Sequence, residues 1–140
     1  MRKLADIVFD QNPLILNAAQ SVEEGCRRMS EQRVGSALVC NDAGRLVGIF
    51  TGRDAVCRVL ALRKDAARCS LAEAMTPDPI TLSPDQSAVD ALRLMWDGGF
   101  RHVPLVNKAG RILGVVSRGD FSGLELSHHE DERELWEHMR

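Results

Sequence analysis

Gly44-Arg45-Leu46-Val47-Gly48-Ile49-Phe50-Thr51-Gly52-Arg53-Asp54 returns later in the chain as Gly110-Arg111-Ile112-Leu113-Gly114-Val115-Val116-Ser117-Arg118-Gly119-Asp120. Each copy reads as a tight turn, a buried strand, and a Ser or Thr that opens a helix with an Asp three residues on. Working outward, the echo extends backwards at a constant shift of 66 residues, from Asp54 to Asp120. Pro13, Leu16, Gln20, Ser21, Arg27, Met29 and Asn41 recur as Pro79, Leu82, Gln86, Ser87, Arg93, Met95 and Asn107. An internal repeat of this length sets the architecture before any motif is considered.

Within the first copy, Pro13 to Leu16 reads as a strand. Ser21 with Glu24 is a capping box that starts a helix carrying Val22, Cys26 and Met29 on one apolar face. Ala37–Cys40 and Leu46–Phe50 are strands joined by the turn Asn41-Asp42-Ala43-Gly44, where Asn and Gly suit positive φ. A helix follows from Thr51 to about Leu62. In the second copy Ile80–Leu82, Val103–Val106 and Ile112–Val116 are strands. Ser87 with Asp90 caps a helix bearing Val89, Leu92, Met95 and Trp96, Gly98-Gly99 ends it, and Ser117 opens the last repeat helix.

Each repeat is therefore β-α-β-β-α, an α/β (α+β) fold in tandem. Residues 1–11 form a short N-terminal helix with Leu4, Ile7 and Val8 inward, residues 12–62 the first repeat and residues 63–77 a linker. That linker includes a possible helical turn over Leu71–Met75, stopped by Thr76-Pro77-Asp78-Pro79. The second repeat spans residues 78–126, and residues 127–140 form an acidic helix with Leu135, Trp136 and Met139 on one face. Neither repeat is long enough to bury a sheet face alone, so the two share burial.

Composition excludes several classes. A net charge of −2 over 140 residues gives no footprint for nucleic acid. Asp6 and Asp10 interrupt the apolar run a signal peptide needs, and no stretch has the length of a membrane span, so a soluble cytoplasmic protein is expected. Cys26, Cys40, Cys57 and Cys69 are widely spaced, which favours reduced thiols over zinc or disulfides. His128, His129 and His138 in the acidic tail match no ligand spacing well, and a solvated helix face is preferred.

All four main helices open on a Ser or Thr followed three residues later by an acid, and capping alone explains that spacing. Two features go further. The helices at Thr51 and Ser117 follow a buried strand directly, which aims their free amides at an interface between elements. The ordered set of motifs, with Asp-Pro-Ile-Thr at residues 78–81 and Arg-His-Val-Pro-Leu-Val at residues 101–106, also resembles a tandem pair of CBS domains, the Bateman module. The resemblance covers residues 12–62 and 78–126. With no catalytic domain appended, it is to the free-standing kind.

The resemblance implies two repeats related by a pseudo-twofold axis, a disc-shaped homodimer, and an adenine nucleotide or other adenosyl ligand such as AMP or ATP held in a cleft between the repeats. It places ribose contacts on Thr51 and Asp54 and on Ser117 and Asp120. A carboxylate can accept both sugar hydroxyls, at about 1.5–3 kcal/mol for a charge-assisted bond. Backbone groups at Leu14 and Ile15, and at Ile80 and Thr81, would read the adenine edge. Arg101 and His102, just before Pro104, would meet phosphate, with Arg53 and Arg118 as further cations. The first repeat has Gly35, Ser36 and Leu38 where the second has Arg101, His102 and Pro104, so the two sites are not equivalent.

These expectations describe a regulatory sensor that binds and does not catalyse, needs no cofactor, and acts on a regulated protein the sequence does not identify. The alternative is a ligand-free interaction scaffold working through its helical faces and acidic tail. An enzyme is disfavoured, because no nucleophile–His–acid arrangement is legible and His102 is the one histidine in a plausible cleft.

Overall fold

The computed structural model describes residues 2–9 and 11–121, so the tail with His128, His129, Trp136 and His138 lies outside the described residues. The fold is mixed α/β, as expected, and the chain forms two compact units. One comprises Asn12–Ile80 with Gly110–Ile112. The other comprises the residues up to Gln11, Thr81–Ala109, and the residues from Leu113 on.

The first unit holds β1 (Ile15–Asn17), α2 (Val22–Gln32), β2 (Ser36–Cys40), β3 (Leu46–Thr51), α3 (Gly52–Ala55), α4 (Leu71–Ala74) and β4 (Thr76–Pro77), preceded in the chain by α1 (Leu4–Val8). Its sheet runs β1-β2-β3-β4, with β1 parallel to β2 and the other pairs antiparallel. Leu16, Val22, Met29, Val39, Phe50, Val59 and Leu71 fill the core under it. The β2–β3 turn works through two different residues. Gly44 takes positive φ (78°), while Asn41 keeps an ordinary φ and instead accepts from the amides of Ala43 and Arg45 through Oδ1.

Two local expectations need correcting. The Ser21 box is half formed: Ser21 Oγ accepts from the Glu24 amide at 3.1 Å, but the Glu24 carboxylate is drawn to Arg27 instead of back to the cap. The helix after Thr51 is also not α throughout. Beyond α3 it widens into a π-helical turn over Val56–Leu60, marked by the Ala61 amide bonding Val56 O at 2.8 Å. Such turns are rare and recur at special sites. Here Arg58 lies within it and donates to Met75 O at 2.7 Å.

The second unit holds α5 (Ala88–Gly98), β5 (His102–Val106), β6 (Ile112–Ser117) and a 3₁₀ turn over Arg118–Asp120; the rest of the helix expected from Ser117 falls past residue 121, outside the described residues. Ser87 and Asp90 make a complete box at the start of α5, and Gly99 ends it at φ 70°. The strand expected at Ile80–Leu82 reduces to one parallel bridge, Leu82 to Leu105. The cause is proline. Leu38 donates its amide to Leu14 O and Ala18 donates to Cys40 O, but the residues at the corresponding positions, Pro104 and Pro84, have no N–H to give.

The segments expected to be an end helix and a linker are core elements. Leu4 and Val8 of α1 are buried with Leu92, Leu105 and Val116 in the second unit, and Cys69, Leu71, Ala74 and Met75 are buried in the first. The two segments dock alike. Leu4 N bonds Gln86 O at 2.9 Å and Leu71 N bonds Gln20 O at 2.8 Å, while Ala88 N bonds Arg2 O and Val22 N bonds Cys69 O. Lys3 bridges Ser87 as Ser70 bridges Ser21. Leu4-Ala5-Asp6 thus corresponds to Leu71-Ala72-Glu73 at a shift of 67, one more than the rest of the repeat. Each leader helix completes the unit built mainly from the other repeat.

A glycine marks each docking point. A Cβ on Gly48 would lie 2.2 Å from Met75 Sδ, and one on Gly114 would lie 2.8 Å from Val8 Cβ and 2.6 Å from Gln11 Oε1. Gln11 is fixed there by pairing both ways with Val115, accepting its amide at 2.8 Å and donating to its carbonyl at 2.9 Å. Its side chain covers the edge of β6 as β4 covers the edge of β3.

Candidate functional site

In the first repeat the site residues sit at the end of β3. Thr51 pairs with Ser36 across β2–β3, and the Gly52 amide reaches Gly35 O at 3.3 Å, so Gly35 and Ser36 flank the Thr51 turn. Thr51 is extended (φ −122°) and α3 begins after it. Its amide and hydroxyl both donate to Asp54 Oδ2, at 3.0 and 3.2 Å, and Thr51 Oγ1 accepts from the Asp54 amide at 3.3 Å. This is the capping box anticipated from the spacing.

Asp54 does more than cap. Its other oxygen, Oδ1, accepts from Thr76 Oγ1 at 3.3 Å and faces Arg58 Nε at 3.6 Å. The residue is 7% exposed, one of two buried polar or charged side chains among the described residues; Ser36 is the other. Arg58 and Thr76 were not foreseen as site residues. Their signal was faint: Arg58 lies four residues after Asp54 on a helix, and Thr76 is far off in sequence.

The second repeat builds the same turn differently. Asp120 Oδ2 accepts from the Ser117 amide at 2.7 Å and from Ser117 Oγ at 3.2 Å, and Oδ1 takes no hydrogen bond from the described residues. Asp120 and Ser117 are half-buried, while Arg118 is exposed. By the shift of 66, His102 is the counterpart of Ser36, which pairs with Thr51 in the first repeat. His102 is half-buried, and burial holds its pKa below the ordinary 6.5; nearby Asp120 opposes that shift and Arg101 reinforces it. The His102 imidazole lies near the Asp120 carboxylate, with the exposed Arg101 next to it in the chain. Arg2 also reaches this turn, donating to Asp120 O at 2.9 Å.

The remaining sequence candidates divide by burial. Leu14 and Pro104 are buried in their units. Ile15 and Ile80 are exposed, at 46% and 51%, though both are large and apolar. Thr81, Arg53 and Arg101 are exposed. Among the described residues no three His, Cys, Asp or Glu side chains lie close enough to hold a metal ion, and no helix is long and apolar enough to cross a membrane. Cys40 and Cys69 are buried, Cys26 half-buried and Cys57 exposed, and all four are free. Burial raises the thiol pKa of Cys26, Cys40 and Cys69.

The family model described as CBS domain matches the chain twice, over residues 4–60 and 71–125. Both matches take in the leader helices. An uncharacterised 17.7 kDa protein of Acidianus ambivalens is 33% identical over 109 residues, 78% of this chain and 65% of that protein. A CBS domain-containing protein of Arabidopsis thaliana is 33% identical over 103 residues, covering 74% of this chain and 19% of the much longer relative. Among solved structures, a CBS domain protein from Pyrobaculum aerophilum complexed with AMP superposes with a TM-score of 0.83 at 25% identity, over 93% of this chain and 99% of that one.

Proposed function

Since the chain belongs to the CBS-domain family and carries the domain twice, we propose that it is a regulatory module binding an adenine nucleotide or another adenosyl compound. The observation that carries this reading is the half-buried Asp120, whose Oδ1 has no donor among the described residues and which lies near His102 and Arg101. The AMP complex of the Pyrobaculum aerophilum protein supports the choice of ligand class.

Asp120 accepts the ribose hydroxyls, and Ser117 fixes its rotamer. Arg101, His102 and Arg118 meet the phosphates, with the exposed Thr81 beside the base. Leu14, Ile15, Thr51, Arg53 and Asp54 stand at the equivalent positions of the first repeat. The protein acts by binding, as a cytoplasmic sensor read by a regulated partner, and not by turnover.

Self-association is part of the same proposal. Val56, Leu60 and Leu62 are 55%, 69% and 59% exposed along and just past the π turn, an apolar strip that a second copy of the chain would cover as a homodimer. A ligand-free scaffold acting through this strip is the competing reading.

A thermal-shift series with AMP, ATP, adenosine, NADH and S-adenosylmethionine separates the two. A ligand at 100 times its Kd adds about 2.7 kcal/mol of stability, a rise of several degrees. A flat response across the series would reject the sensor and favour the scaffold. Asp120→Ala should weaken the binding of the active ligand about tenfold to a hundredfold by calorimetry, about 1.4 kcal/mol per decade.

A further inference from the structure

Although the two repeats share their Ser/Thr-x-x-Asp turn, their carboxylates are not in the same state. Asp54 is filled at both oxygens, with Thr51 on Oδ2 and Thr76 on Oδ1. Arg58 faces Oδ1 as well, and its guanidinium is tethered on the other side to Met75 O at 2.7 Å. Met75 and Thr76 follow α4, so this one buried acid ties the turn after β3, the π-helical segment and the leader of the second repeat to a single point.

The sequence removes both extra donors from Asp120. At the shift of 66 the counterpart of Arg58 is Leu124, and at the leader shift of 67 the counterpart of Thr76 is Phe9. Neither side chain can donate a hydrogen bond. The residues before the second strand run the other way: Arg101 and His102, with His102 close to Asp120, stand where the first repeat has Gly35 and Ser36. One repeat engages both oxygens of its carboxylate in its own packing, with Arg58 already turned to it. In the other, Asp120 Oδ1 takes no hydrogen bond from the described residues, and His102 lies near it with Arg101 next in the chain.

The geometry points to a single ligand per chain, gripped at Asp120, with Arg58 and Thr76 occupying Asp54 in the place a ligand would take. This rests on the adenosyl-binding reading and sharpens it in two ways. Asp54 becomes a structural clasp. The open site, which pairs a diol acceptor with Arg101 and His102, selects adenosine compounds carrying phosphate over neutral adenosine. For a ligand to enter the first repeat it would have to displace the Arg58 and Thr76 contacts from a nearly buried acid and supply its own partner for Arg58.

The test is calorimetry on the full chain with AMP and with adenosine, together with melting curves, for wild type, Asp120→Asn, Asp54→Asn and Thr76→Val. Wild type should bind about one AMP per chain, and adenosine at least tenfold more weakly. Asp120→Asn should lose tenfold or more in AMP affinity with its melting temperature within a few degrees of wild type. Asp54→Asn and Thr76→Val should melt lower and keep AMP affinity within about twofold. If Asp54→Asn does not fold, Thr76→Val tests the clasp alone, since it removes a donor from the same carboxylate.

Two AMP per chain, or a folded Asp54→Asn or Thr76→Val as deficient in AMP binding as Asp120→Asn, would overturn the single-site assignment while leaving the adenosyl reading intact. Equal affinity for AMP and adenosine would remove the phosphate selectivity. Wild type that binds neither AMP nor any other adenosyl compound would overturn both levels together.

Discussion

Replacing Gly114 by Ala tests how the leader helix is locked to the second unit. The new Cβ would sit 2.8 Å from Val8 Cβ and 2.6 Å from Gln11 Oε1. Val8 Cβ is attached directly to backbone and cannot rotate aside, so α1 must shift or the strand must. Overpacking of this kind costs about 1–3 kcal/mol. Gln11 cannot yield freely either, because it holds the Val115 amide and carbonyl, and losing those two bonds adds about 1 kcal/mol each. The sum is about 3–5 kcal/mol. At about 3 °C per kcal/mol for a chain of this size, the melting temperature should fall by roughly 9–15 °C. Gly48→Ala is the internal control. Its Cβ would meet Met75 Sδ at 2.2 Å, nominally a worse clash, but against the mobile part of an unbranched side chain. That change should cost only about 1–2 kcal/mol. Calorimetric or circular-dichroism melts of both variants decide the matter. A Gly114→Ala protein melting within about 2 °C of wild type, or a Gly48→Ala protein that is the less stable of the two, would refute the docking argument.

Two further predictions follow from single side chains. The pKa of His102 lies below 6.5 in the folded chain, so the unfolded chain binds the proton more readily; its contribution to stability is present above pH 6.5 and lost as pH falls below it. Melts at pH 7.5 and 5.5 should show a smaller acid loss for His102→Gln than for wild type, and equal losses would contradict the assignment. Of the four thiols, exposed Cys57 should react rapidly with a thiol reagent, with Cys26, Cys40 and Cys69 following slowly or only on unfolding. Rapid labelling that survives Cys57→Ser would show the burial to be wrong.

Much of the architecture was legible because it was written twice. The shift of 66 placed Leu46–Phe50 and Ile112–Val116 as matching strands and Ser21 and Ser87 as matching helix starts, and β3, β6, α2 and α5 lie there. The family resemblance rested on the same doubling. The two short helices were expected, but their correspondence as leaders was missed, because one extra residue puts Leu4-Ala5-Asp6 and Leu71-Ala72-Glu73 out of step with the main shift. A search that allowed one gap would have aligned them.

Local chemistry by itself determined the turns, the caps and the reach of Asp54 and Asp120 back to their own Thr51 and Ser117, since a capping box spans only four residues. What the far oxygen of each carboxylate meets was decided by tertiary structure alone. Thr76 comes to Asp54 because β4 pairs with β3, and Arg58 because a π turn carries it between that acid and Met75 O. Burial removes water as a competing partner, and only the packed chain determines which donors replace it.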